Sequence, residues 1–139
     1  MKRKRAAVIV IDKEHILLLK RHRDGKDFYA IPGGTLDEGE SYKEAAIREL
    51  KEETTLDVVV DKPLFTLSDD LCDCEYFLAE SFSGTATLSG EELERNSPQN
   101  SYELHWIDIK NIPSIHPLCI LTKSQSIFHC CLIYPFQIL

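Results

Sequence analysis

The chain has 139 residues, 43% of them hydrophobic and 28% charged, which suits one soluble globular domain with a real core. Its net charge of −7, from 16 basic and 23 acidic residues, argues against a nucleic-acid polymer as the main partner. No apolar run approaches the ~18 residues of a membrane span, and the N-terminal apolar run is too short for a signal peptide and is cut by Asp12, so a cytoplasmic protein that does not enter a membrane is expected.

The five cysteines are an odd number, and neither Cys72-x-Cys74 nor Cys130-Cys131 has zinc-ligand spacing, so they read as free thiols. The chain opens on the basic cluster MKRKR, which reads as a solvated tail. Residues 6–11 form an apolar run rich in Val and Ile, a buried strand. A polar break at residues 12–15 has the length of a hairpin loop. Residues 16–20 form a second strand that runs on into Arg21-His22-Arg23, and Asp24-Gly25-Lys26-Asp27 is a turn. Residues 28–31 read as a third strand, stopped by Pro32. The pair Gly33-Gly34 and an acidic loop, Asp37-Glu38-Gly39-Glu40, follow.

Ser41-Tyr42-Lys43-Glu44 has the form of a capping box and starts a helix. At ~100° per residue, Glu49, Glu52 and Glu53 fall on one face, and Ala46, Ile47, Leu50 and Thr54 form the neighbouring apolar stripe. Arg48 is an i, i+4 partner of both Glu44 and Glu52. Three carboxylates in the last turn repel one another and oppose the helix dipole, each misplacement costing a few tenths to ~1 kcal/mol. A bound multivalent cation would reverse the sign of that arrangement; a solvated acidic face is the plainer alternative.

Beyond the helix, residues 56–60 and 64–67 are extended, Asp69-Asp70 is a turn, residues 75–82 form a strand, and residues 84–88 are expected to pair with it. Residues 89–100 read as a polar loop or short helical turn, and residues 103–107 as a further strand. Strands on both sides of one strong helix imply α/β content with a mixed sheet in a single domain covering residues 1–139. Residues 114–139 differ from the rest: they hold no acidic residue and one charged side chain, Lys123. They could cover the sheet, form a subunit interface, or be foreign to the domain; docking onto the core is favoured.

The stretch from Gly34 to Leu56 resembles the Nudix box. The family pattern is Gly, five residues, Glu, seven residues, then Arg-Glu-aliphatic-x-Glu-Glu-x-Gly-aliphatic. Here it reads Gly34, Glu40 and Arg48-Glu49-Leu50-Lys51-Glu52-Glu53-Thr54-Thr55-Leu56, with Thr55 in place of the glycine as the single departure. The likeness extends over residues 5–112. It implies an α/β/α sandwich with a mixed sheet, and hydrolysis of a nucleoside diphosphate linked to a further moiety with Mg²⁺ or Mn²⁺. It also implies Glu49, Glu52, Glu53 and the Gly33 carbonyl as metal ligands, and Glu40 with Arg48 as a structural ion pair. The catalytic set would be Glu52, Glu53 and Arg48, with the general base Glu52 or Glu53, or else a distal glutamate among Glu91, Glu92, Glu94 and Glu103. A glycine at position 55 would end the helix in a left-handed conformation, which costs a β-branched residue ~1–2 kcal/mol, so the helix should either end differently or carry strain.

Substrate determinants lie outside the box. Arg21 and Arg23, with His22 between them, could hold phosphates, and Phe28, Tyr29, Tyr76, Phe82 or Trp106 could stack on a base, although aromatics in a small domain are more often core. The compact length is similar to that of MutT-like enzymes, which implies a small nucleotide substrate, foremost a (deoxy)nucleoside triphosphate with 8-oxo-dGTP as one candidate, and a monomer or homodimer. ADP-ribose or nucleotide-sugar hydrolysis, and a non-catalytic metabolite-sensing domain, are the alternatives.

Overall fold

The computed structural model describes residues 2–114 and the backbone of two short strands, Ile120–Leu121 and Ile127–Phe128, which pair antiparallel. The three readings of the apolar tail concern side chains outside these described residues.

The chain runs β1 (Arg3–Ile9), β2 (Ile11–Asp12), β3 (His15–Arg23), β4 (Lys26–Ala30), β5 (Gly33–Thr35), α1 (Tyr42–Thr54), β6 (Asp57–Val59), β7 (Phe65–Ser68), β8 (Cys72–Leu78), β9 (Ser81–Ser83), α2 (Gly90–Glu94) and β10 (Asn100–Asp108), ending in a 3-10 turn, Ile109–Ser114. One sheet has the order β5-β1-β8-β7, with β1 and β8 parallel and the two outer pairs antiparallel. In the other, β3 is flanked by β10 on one side and by β2 and β4 on the other. The first sheet is therefore mixed, as expected, whereas every pair in the second is antiparallel. Backbone bonds from Leu17 N–H to the Val10 carbonyl (3.0 Å) and from Val8 N–H to the Pro32 carbonyl (3.0 Å) join the two sheets along the β1–β2 edge.

The unbroken apolar run of β1 is explained by burial on both faces. Ala6, Val8 and Val10 face α1 and pack with Leu17, Ala46, Leu50 and Phe77, whereas Ala7 and Ile9 face away and pack with Ile16, Leu18, Ile31 and Tyr76. A strand covered on one side only would alternate with polar residues. The basic cluster in front of that run is not a solvated tail. Arg3, Lys4 and Arg5 open β1, and the strand period splits the charges: Lys2 and Lys4 are exposed, while Arg3 and Arg5 are half-buried.

Both halves of the capping box form, with Glu44 N–H donating to Ser41 Oγ and Ser41 N–H to a Glu44 carboxylate oxygen, each at 3.1 Å. Glu44 is thereby committed to the cap, and Arg48 pairs elsewhere. The far end of α1 is finished by a return of the chain. Residues 84–88 were expected to pair with the preceding strand; instead that strand divides into β8 and β9, β9 pairs with β6, and the following segment runs along the helix terminus. Thr55 N–H bonds to the Lys51 carbonyl (3.0 Å), Ser89 Oγ to that of Glu52, Ser89 N–H to that of Glu53 (2.9 Å) and Thr87 N–H to that of Thr54 (2.9 Å). All four terminal carbonyls are satisfied, a condition that a helix end packed against protein must meet. Thr55 itself sits at φ 66°, left-handed, so the strain expected from its β-branch is carried; its hydroxyl donates to the Thr85 carbonyl at 2.9 Å in partial compensation.

The acidic loop is clamped to α1 by Arg48. Its Nε and Nη2 meet the two oxygens of Glu40 at 2.7 and 2.9 Å, a bidentate pair, and Nη2 also donates to the Thr35 carbonyl at 3.1 Å. The Arg48 bond, aided by the Asp37 backbone N–H, holds the Glu40 carboxyl down at about 2, from an ordinary 4.5.

Two outcomes follow from these features. Thr55→Gly relieves the left-handed strain, loses one exposed hydrogen bond and adds backbone freedom to the unfolded chain, so urea denaturation should show stability unchanged or raised by up to about 1 kcal/mol, with activity retained; a clear loss of both contradicts the strain. Glu40 has a depressed folded pKa, so its contribution is complete above pH 4.5 and lost as pH falls toward 2. Glu40→Gln should lower stability at neutral pH by roughly 1.5–3 kcal/mol and flatten that acid limb in pH-dependent denaturation.

Candidate active site

The carboxylates of α1 open into a cleft of about 730 Å³ whose walls also carry Gly33, Gly34 and Thr35 of β5, Arg3 and Arg5 of β1, Arg21 of β3, and Glu91 and Glu92 of α2. Glu49, Glu52 and Glu53 thus share one face and one cavity. They differ sharply in environment. Glu52 is about half exposed, and one of its oxygens accepts from Arg48 Nη1 at 3.2 Å. Glu49 accepts from the same nitrogen at 3.0 Å and is otherwise enclosed; burial pushes its carboxyl up, and Arg48 opposes that. Glu53 is 3% exposed, and its Oε2 is buried without a hydrogen-bond partner. Burial raises its carboxyl well above the ordinary range, the nearby Glu92 and Glu49 charges add to this, and Arg5 and the Gly33 backbone oppose it.

Local sequence explains how close these groups come. Gly34 has no side chain because the Glu49 carboxylate occupies the place where a Cβ would stand. At the start of α2, Gly90 has φ +68° and comes so close to the Glu52 carbonyl that a Cβ would lie 2.8 Å from it. The segment that caps α1 is therefore pressed onto the helix end, and it delivers Glu91 and Glu92 to the cleft. The distal glutamates separate accordingly: Glu91 and Glu92 line the cavity, whereas Glu103, on β10, approaches His105 at 3.6 Å.

The donor set fits a hard divalent cation. A sealed carboxylate oxygen with no donor, two further carboxylates on the same face and the Gly33 carbonyl at the rim are all oxygen ligands. Among the described residues no three acidic, His or Cys side chains are already gathered as a cluster. Arg48 Nη1 holds both Glu49 and Glu52, and Arg5 Nη2 donates to the Gly33 carbonyl at 3.3 Å. These guanidinium contacts would have to loosen for a cation to be held.

Of the three proposed substrate residues, Arg21 lines the cleft. It is 7% exposed, lies 3.7 Å over the Tyr102 ring and 5.6 Å from that of Phe28, and donates to Asn100 Oδ1 at 2.6 Å. Phe28 is core beneath it, 7% exposed, and does not face the cavity. Arg23, two residues further along β3, pairs with Asp24 at 3.8 Å and is also outside the cleft. Tyr76 is core, stacked on Phe65 at 4.7 Å; Phe82 and Trp106 contact each other at 5.8 Å, with Trp106 37% exposed. Arg3 and Arg5 were missed, because a run of like charges reads as solvated. The signal that finds them is their alternation with lysine at the strand period, continuous with an apolar strand.

Comparison with known proteins agrees with this geometry. A family model described as the NUDIX domain matches residues 1–118, somewhat beyond the expected 5–112. An ADP-ribose pyrophosphatase of Methanocaldococcus jannaschii is 32% identical over 76% of this chain and 62% of its own. The dihydroneopterin triphosphate diphosphatase of Escherichia coli is 45% identical, but over only 37% of this chain and 33% of that enzyme. The crystal structure of a MutT NUDIX hydrolase from Burkholderia pseudomallei superposes with a TM-score of 0.71 over 100% of this chain and 99% of its own, at 22% identity, which shows a shared α/β/α fold. The box carried by β5 and α1, the match across most of the chain and the common fold establish that this chain belongs to the Nudix family of hydrolases acting on pyrophosphate bonds.

Proposed function

We propose that the chain hydrolyses a pyrophosphate bond of a nucleoside diphosphate derivative, foremost a (deoxy)nucleoside triphosphate, an oxidised one such as 8-oxo-dGTP included. The observation that carries this reading is the sealed, partnerless oxygen of Glu53 in a cleft shared with Glu49, Glu52 and several arginines. Burying an ionised carboxylate without a partner is costly, and a cation offsets that cost. Glu49, Glu52, Glu53 and the Gly33 carbonyl are the proposed ligands. Mg²⁺ or Mn²⁺ is the cation that suits an all-oxygen set. When bound, such an ion supplies neutralisation of phosphate charge and a water of lowered pKa.

The side chains of the chain do the rest. Arg48 fixes the directions of Glu49 and Glu52 through Nη1 and holds the loop that closes the cleft through Nε and Nη2. It is a positioning residue in this scheme. Glu52, half exposed, can accept the proton of the attacking water and pass it to solvent; Glu53 is sealed and cannot exchange it as readily. Glu92, whose charge acts on Glu53 and Glu49, is the distal alternative.

The M. jannaschii relative, aligned over three quarters of this chain, supports ADP-ribose or a nucleotide sugar as the second reading. A metabolite-sensing domain without activity has less support, because every box carboxylate is present. Among the described residues no helix is long and apolar enough to cross a membrane, and we infer a cytoplasmic single-domain protein, monomeric or homodimeric.

Three measurements bear on this. Nucleotides incubated with Mg²⁺ or Mn²⁺ should release phosphate or pyrophosphate, and a chelator should stop release reversibly; turnover in excess EDTA rules out the metal mechanism. Glu52→Gln should retain the wild-type circular dichroism spectrum and lose about 100-fold or more in kcat, the scale of a lost acid–base group; wild-type turnover refutes its assignment. Glu53→Gln should remove the rise in melting temperature that Mg²⁺ gives the wild type, while its own stability in EDTA is unchanged or higher, since a buried charge has gone.

A further inference from the structure

We infer that Asn96 is a positioning residue: its carboxamide ties the far end of α2 to β10 and keeps Glu92 turned into the cleft, where the Glu92 charge strengthens the hold of the α1 carboxylates on a cation. The inference rests on the cation reading above and adds to it a residue outside the cleft that acts through another.

α2 is oriented against its own amphipathic preference. It has five residues, too few to form a stable helix without support. Its one large apolar side chain, Leu93, is 54% exposed, while Glu92 is half-buried and lines the cleft. Burial of apolar surface would turn the helix the other way. Charge opposes the placement as well. Glu92 forms no hydrogen bond or ion pair among the described residues, and its charge acts against those of Glu53 and Glu49. Arg21, which also lines the cleft, supplies an opposing attraction.

What holds α2 in place is its two ends. The near end is fixed to α1 by Ser89, whose Oγ and N–H donate to the carbonyls of Glu52 and Glu53, and by the close approach of Gly90. The far end depends on Asn96. Its N–H donates to the Leu93 carbonyl at 3.3 Å and closes the last turn. Its side chain then reaches β10, where Nδ2 donates to the Tyr102 carbonyl at 3.3 Å and Oδ1 accepts from the Tyr102 N–H at 3.2 Å. A carboxamide that meets both backbone groups of one residue reproduces the pairing of a neighbouring strand. Tyr102 is a firm post: it is 9% exposed, in register with Arg21, and covered by that guanidinium at 3.7 Å. The other contacts of this region are internal to it. Arg95 pairs with Glu91 at 3.1 Å within α2, and Ser97 bonds to Asn100 within the turn that follows. Asn96 itself is exposed, so its loss removes the tie and little of the core.

A negative charge beside a divalent cation strengthens its binding without a direct bond, because the attraction falls only as the inverse of distance. Glu92 held in the cleft adds such a charge; swung out into solvent, it is screened.

The test is a double-mutant cycle on Mg²⁺ affinity. Mg²⁺, and Mn²⁺ as a second ion, are titrated calorimetrically into wild type, Asn96→Ala, Glu92→Gln and the double variant, each first checked for the wild-type circular dichroism spectrum. Glu92→Gln should weaken binding by about fivefold or more. Asn96→Ala should weaken it by about threefold or more in the wild-type background, and by less than half that factor where Glu92 is already replaced. Unchanged affinity in Glu92→Gln or in Asn96→Ala, or weakening of equal size in both backgrounds, overturns the inference. The tie itself is read without any cation. In EDTA, glutamyl endopeptidase should cut within residues 91–94 about tenfold faster in Asn96→Ala than in wild type, with an intermediate rate in Asn96→Asp, which keeps the bond from the Tyr102 N–H. Equal rates in all three proteins overturn the tie. A wild type that binds neither ion defeats the cation reading instead, and the cutting rates then decide alone whether Asn96 positions α2.

Discussion

The guanidinium of Arg48 is the contact on which the rest of the cleft depends. One planar group binds the Glu40 carboxylate with two nitrogens, the Thr35 carbonyl with one of them, and Glu49 and Glu52 with the third. It therefore joins the acidic loop, the strand that opens the box and the helix that closes it. Lysine would supply the same charge but not the fork: its single nitrogen cannot meet three carboxylates and a carbonyl edge-on at once. The pull is mutual. The arginine is held charged by the acids around it, and Glu40 is held ionised by the arginine.

Against that cation-centred frame, Glu53 is the counterweight. Arg48 reaches the other carboxylates of the helix face, and Glu53 is left to face Glu92, Glu49 and the apolar interior, with Arg5 as the opposing charge. The helix thus presents a graded series: Glu52 half in water, Glu49 enclosed but paired, Glu53 enclosed with an unmatched oxygen. Such a gradient separates tasks among chemically identical groups, because accessibility decides which can exchange protons and burial decides which most needs a cation.

How much of this was legible depends on the range of the interaction. The strain at Thr55 is one of the two outcomes that the resemblance left open, whereas the capping box and the shared face of Glu49, Glu52 and Glu53 arise within a few residues of chain and were readable from spacing alone. So was the Glu40–Arg48 pair, through the resemblance. What could not be read was long-range. The segment after β9 looked like a hairpin partner, yet its hydrogen-bonding groups are used by the carbonyls of a helix thirty or more residues earlier. The place of Phe28 was not legible because an aromatic next to a cluster of charges reads equally as a stacker or as the floor beneath one, and its burial is set by contacts distant in sequence. The basic N-terminal cluster was misjudged for the opposite reason: its strand period was present, but a charge run is ordinarily solvated, and only the neighbouring β5 and β8 show that half of it points inward.

The anchoring of the return segment on the helix end separates two kinds of change. Ser89, Thr87 and the backbone beside them fix where the second wall of the cleft begins, and Gly90 fixes how closely it approaches. Beyond that point α2 contributes no buried residue to the core. Residues 91–95 can therefore be exchanged with little effect on folding, while exchanges at Glu91, Glu92 and Arg95 alter what the cleft presents to a ligand. For protein engineering this is a short, modular wall beside a fixed chemical centre, a place where selectivity can be re-written without disturbing the carboxylates of α1.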